Sequence, residues 1–122
     1  IEWPRACRYW HTARVRKALA KYGLVTYDFD GCMYGIESIA PKTRGLPIKK
    51  PWRLATNSQI MGQAFSTRCG GCPKHVQCEG VGTPNSEKYS DKFAEVFHKA
   101  WKKQCLALFH SPAPQAATNI TK

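Results

Sequence analysis

A chain of 122 residues with 43% hydrophobic and 22% charged residues can build one modest core, which excludes wholesale disorder. Nineteen lysines and arginines against eight acids leave a formal charge of +11, a field that attracts polyanions, nucleic acid first and acidic membrane surfaces second. The sequence lacks the run of about 18 apolar residues that a transmembrane helix needs, and its N-terminus lacks the basic start and apolar core of a secretory signal, so no membrane association and an intracellular location are expected.

In chain order, Ile1, Glu2 and Trp3 read as the end of a strand stopped by Pro4. Thr12 is placed to cap a helix over 13–22, and Gly23 to end it in the left-handed conformation. Val15, Ala18, Leu19 and Tyr22 make its apolar stripe; Arg14, Lys17 and Lys21 line another side at i, i+3, i+7. Residues 24–30 alternate, with Val25, Tyr27 and Phe29 against Thr26, Asp28 and Asp30, which is strand patterning. Gly31 breaks it, and 32–36 reads as a loop or short strand. A basic, proline-bearing loop follows over 41–51, then a strand over 52–56 with Trp52 and Leu54 on one face. A short helix over 59–65 leads into a cysteine-rich loop. Ser90 caps a last helix over 91–108 whose stripe is Phe93, Val96, Phe97, Ala100, Trp101 and Leu108, with Lys92, Lys99, Lys102 and Lys103 outside. Residues 1–110 thus read as one domain and 111–122 as a disordered tail.

The cysteine-rich loop carries Cys69, Cys72, His75 and Cys78 at regular x2 spacing. Thiolate and imidazole are the donors zinc prefers, and tetrahedral closure takes four of them. Gly70, Gly71 and Gly80 permit tight turns, while so much Gly and Pro cannot bury an apolar face alone. A structural zinc on these four residues is the first expectation. Because four ligands within ten residues are cramped, Cys32 or Cys105 is the alternative source of one. With four protein donors no position is left for a reactive water. The competing reading of six cysteines is a secreted, disulfide-bonded cationic protein.

Asp28 and Asp30 at i, i+2 on one strand face could share a metal or a proton, but a solvated edge neutralising the basic loop is preferred. Lys49, Lys50 and Arg53 surround Trp52; the cations suit phosphates and an indole can stack on an unpaired base, although Trp52 also begins a strand and suits the core. No phosphate loop, dinucleotide fingerprint or G-x-S-x-G elbow is present.

Several segments together resemble cytosine-C5 methyltransferase-like domains of phages and retroelement-type polyproteins. They are Glu2-Trp3-Pro4, then Phe29-Asp30-Gly31-Cys32 with Tyr34-Gly35, then Pro47-Ile48-Lys49-Lys50-Pro51-Trp52-Arg53 running to Asn57, and the Cys/His cluster after them. The resemblance covers nearly all of 1–105. It implies the second half of a Rossmann-like sheet, with Glu2 matching the glutamate that holds the target base. It implies S-adenosylmethionine only with an upstream half carrying the Pro-Cys nucleophile and the glycine-rich turn. Neither Cys7 nor Cys32 follows a proline, so the chain alone is not expected to methylate.

The combined expectation is an α/β domain: a small sheet flanked by two amphipathic helices, with a zinc-tied loop, as a partial Rossmann-like methyltransferase half from a mobile element. Its expected role is nucleic-acid binding, DNA ahead of RNA, through Arg14, Lys17, Lys21, Lys49, Lys50 and Arg53.

Overall fold

The computed structural model describes residues 1–76 and 89–110. Strands β1 (Glu2–Pro4), β2 (Val25–Asp30) and β3 (Pro51–Thr56) form an antiparallel sheet in the order β1-β3-β2. β2 pairs with β3 from Val25 opposite Thr56 to Asp30 opposite Pro51, and β1 adds Glu2 opposite Leu54 and Pro4 opposite Trp52. A 3-10 turn (Arg8–His11) and helix α1 (Ala13–Lys21) separate β1 from β2. A second 3-10 turn (Gly31–Tyr34) follows β2; helices α2 (Gln59–Ala64) and α3 (Asp91–His110) follow β3. The fold is therefore small α/β. Among the described residues its strands are antiparallel throughout, whereas a doubly wound nucleotide-binding sheet is mostly parallel.

The alternation in β2 and β3 decides the two faces. Tyr27, Phe29, Trp52 and Leu54 share one of them, which is the core. Phe29 is fully buried and meets the rings of Tyr34, Trp52, Phe65 and Phe93 at 5.1, 5.4, 5.3 and 6.1 Å between centroids. Burying one such side chain contributes about 1.5–3 kcal/mol, so this aromatic cluster dominates the stability of a small core. Met61 from α2, Phe65 just after it, and Phe93 and Ala100 from α3 close the same side. Tyr27 lies flat against α2: a Cβ at Gly62 would sit 2.0 Å from its Cε1, so only glycine fits there.

The helices start where short polar residues allow. Thr12 accepts the Val15 N–H at 3.3 Å, Ser58 the Met61 N–H at 3.1 Å and Ser90 the Phe93 N–H at 3.0 Å, each relieving one orphan donor of a first turn. Gly23 ends α1 at φ 62°, as expected.

Two expectations about burial change. No residue of α1 is buried: Val15, Ala18 and Leu19 are half-covered and Tyr22 is 60% exposed. On α3 the expected stripe is covered only in part, for Phe97, Trp101 and Leu108 are 40, 56 and 66% exposed. Ala100, between Phe97 and Trp101, is buried, so those two rings are exposed by the side of the helix they occupy. Only Leu108, about 25 Å along a 20-residue helix, lies beyond the reach of the six-residue strand β3. The tail expected over 111–122 lies outside the described residues.

Candidate metal centre and basic surface

The end of β2 is where distant parts of the chain meet. Gly31 turns the chain inward and donates its N–H to the Lys50 carbonyl at 3.0 Å, which brings Cys32 alongside Lys49. After α2 the chain returns beside β2, where Asp30 N–H donates to the Thr67 carbonyl at 3.1 Å and Cys69 N–H donates to Asp30 Oδ2 at 2.7 Å. Farther on, Val76 N–H donates to the Pro47 carbonyl at 3.0 Å, which fixes the stretch that contains His75.

The result is a cluster of Cys32, Cys69, Cys72 and His75 whose ligand atoms all lie within 4.8 Å of one another. Cys69 Sγ is 3.4 Å from Cys72 Sγ and 3.6 Å from His75 Nε2. A tetrahedral zinc site with bonds of about 2.3 Å to sulfur and 2.0–2.1 Å to nitrogen has S···S edges of about 3.8 Å and S···N edges of about 3.6 Å. The cluster is thus close enough to hold one metal ion and is compatible with zinc. Three of the four sequence-expected ligands are brought together here. The fourth, Cys78, lies outside the described residues, and Cys32 occupies the remaining corner. Cys105 is elsewhere, on α3, lining a groove with Trp101 and Leu108. The five described cysteines are free thiols.

The thiols do not ionise alike. Burial, then the adjacent Cys69 and Cys72, push Cys32 up to about 12. The Gly71 N–H directed at its sulfur, then the Cys72 thiol, bring Cys69 down to about 6. Cys72 moves up because it hydrogen-bonds to Cys69. One thiolate is tolerated in so small a space, and further ionisation needs a cation to balance it.

The two strand carboxylates are not a solvated edge. Asp30 is 1% exposed and is held by Arg5 Nη2 at 3.2 Å, by the Cys69 N–H and by Arg68 Nε at 3.5 Å. Asp28 takes Arg53 in a two-pronged pair, Nε to Oδ1 at 2.7 Å and Nη2 to Oδ2 at 3.1 Å, with Arg5 Nε 3.4 Å away. The Arg53 fork holds the Asp28 carboxyl below the usual carboxylate range. Sequence reading missed both partnerships, because Arg5 and Arg53 are remote from Asp28 along the chain.

These pairs sort the expected phosphate contacts. Arg53 is committed to Asp28, half-buried, with its guanidinium 5.8 Å from the Trp10 ring. Lys50 is half-covered and lies over Trp52, Nζ 4.5 Å from the ring centroid, while Trp52 itself is core at 3% exposure. Arg14, Lys17 and Lys21 on α1, and Lys49 beside the cluster, are exposed. Glu2 faces the core side of β1, accepts the Tyr89 hydroxyl at 3.0 Å and borders an apolar cavity of about 310 Å3 with Phe29, Met61, Phe93 and His98.

No protein-family model matches the chain, and no curated protein or solved structure matches it. Among the described residues no helix is long and apolar enough to cross a membrane.

Proposed function

We propose that this chain is a nucleic-acid-binding domain whose loops are braced by one structural zinc on Cys32, Cys69, Cys72 and His75. The observation that carries the binding is the stretch between Glu2 and Asp28, which contains no acid. Within it Arg8, His11, Arg14, Arg16, Lys17 and Lys21 are all exposed on the 3-10 turn and α1. A solvated helix ordinarily balances its cations with acids at i, i+4; this one has none, and Arg14, Lys17 and Lys21 cover roughly 10 Å along one side of it. Phosphates supply the missing charge and release counterions as they do so. Lys49 extends the basic surface at the metal centre, and the zinc fixes shape rather than reacting, since its four donors leave no open position.

The test is binding of a labelled DNA measured across a salt series by fluorescence anisotropy. The logarithm of the affinity should fall linearly with the logarithm of salt, and replacing Arg14, Lys17 and Lys21 together by alanine should lower the slope by about 2–3. Absence of binding at low salt, or a slope untouched by the triple replacement, overturns the reading. The mobile-element methyltransferase origin is an alternative proposal resting on the quoted motifs; a Pro-Cys motif upstream in the parent reading frame would support it.

A further inference from the structure

The 3-10 turn before α1 carries an aromatic group that the phosphate contacts leave unexplained. Trp10 is buried, and its Nε1 donates to the Pro4 carbonyl at 2.9 Å. Trp3 meets it edge-on at 5.0 Å, and Tyr9 meets Trp3 at 5.6 Å and 61°. Tyr9, at the end of this edge-to-face series, is 63% exposed. At the other end of α1 a second ring, Tyr22, is 60% exposed, with Lys21 Nζ 5.3 Å from its centroid. Along the chain the exposed cations of α1 lie between the two tyrosines, and Lys21 is the one that touches a ring, that of Tyr22. Arg5 and Arg53, near the first group, are tied to Asp28 and Asp30, so they do not fold down over Tyr9.

We propose that Tyr9, resting on Trp3, is a base-stacking platform at the start of the basic helix α1, with Tyr22 a second platform beside Lys21 at its far end, and that the ligand is single-stranded nucleic acid. The inference rests on the phosphate reading of α1 and names its substrate class. A duplex keeps its base faces in its own stack, where an exposed tyrosine cannot reach them. An unpaired strand offers them, and stacking on an aromatic ring is tolerant of sequence. Tyr9 is backed by Trp3, which rests in turn on the hydrogen-bonded Trp10, so less side-chain freedom is lost when a base arrives. Trp52, the ring that sequence alone offers for this task, is in the core.

The experiment compares a short oligo-dT strand, a duplex of equal length and an abasic strand of equal length, all at one salt concentration, on the zinc-loaded chain. Oligo-dT should bind tightest. Tyr9→Ala should weaken oligo-dT by roughly tenfold and leave the duplex and the abasic strand unchanged, while Tyr9→Phe keeps the wild-type affinity. Adding Tyr22→Ala should weaken oligo-dT further. Equal binding of the three probes, or a Tyr9→Ala loss shared by all three, overturns the stacking proposal and leaves the phosphate reading intact. Failure of every probe to bind removes both.

Discussion

Asp30 Oδ2 accepts the backbone N–H of Cys69 at 2.7 Å across 39 positions of chain, while its Oδ1 accepts Arg5 Nη2 at 3.2 Å. A carboxylate at the end of a strand thereby positions the first residue of the cysteine loop. It also pairs with the arginine that follows β1.

Removing that carboxylate leaves Arg5 with Asp28 as its one remaining acid among the described residues and the Cys69 N–H without its acceptor. Asp30→Ala should cost about 3–5 kcal/mol, the range for breaking a buried pair. It should also weaken zinc by about 10- to 100-fold, because an outer partner no longer fixes a ligand. Asp30→Asn should fall between wild type and alanine. Urea unfolding of the zinc-saturated protein and competition with a chromophoric chelator give the two numbers.

Cys32→Ser should remove tight zinc binding as thoroughly as Cys69→Ser does, since Cys32 fills a corner of the cluster. Cys78→Ser should leave one zinc per chain. Native mass spectrometry with and without chelator reads the stoichiometry directly. Retention of zinc by Cys32→Ser together with its loss from Cys78→Ser would return the fourth ligand to Cys78.

Gly62 has a different task, for Tyr27 occupies the space its side chain would take. Gly62→Ala should destabilise the fold by about 1–3 kcal/mol through overpacking, even though alanine is the better helix former. Pairing it with Tyr27→Leu should recover part of the loss, which a double-mutant cycle in thermal unfolding would show.

The Asp28–Arg53 pair sets an acid limit. The folded carboxyl is held below its ordinary value of 3.8, chiefly by the Arg53 hydrogen bonds. Its stabilisation is therefore complete above that value and is lost as the pH falls through the lower folded one. Stability should decline below about pH 4. Asp28→Asn should start roughly 1–2 kcal/mol lower at neutral pH and show a shallower decline. Denaturant midpoints at a series of pH values test this.

Much of the frame is local and was legible. Thr12, Gly23 and Ser90 mark helix ends by side-chain and backbone geometry that involves only near neighbours, and the alternation of Val25, Tyr27 and Phe29 assigns a strand face. The metal centre was legible to the extent that it is local. Cys69, Cys72 and His75 are a spacing, whereas Cys32 arrives through the turn at Gly31 and the pairing with Lys49 and Lys50, which no spacing encodes. Asp30 was misread for a related reason. Its alternation puts it on the non-core face, and only the returning chain at Thr67 and Cys69 makes that face dry. On α3, periodicity reports which residues align but not how wide a face is covered: Phe93 and Ala100 reach the core, while Phe97 and Trp101 stand at its margin and Leu108 lies past it.

The cluster also closes a ring in the chain. Cys32 and Cys69 meet only after the polypeptide between them has laid down β3 and α2, and an ion joining them makes a covalent-like circuit around those elements. Loop closure of this kind acts chiefly by shrinking the options of the unfolded chain. An ion held by all four ligands would require β3 to have paired with β2, because Cys32 reaches the cluster only through that pairing, and its loss would free the enclosed segment. A zinc-sensitive dye followed during refolding would thus record completion of the sheet.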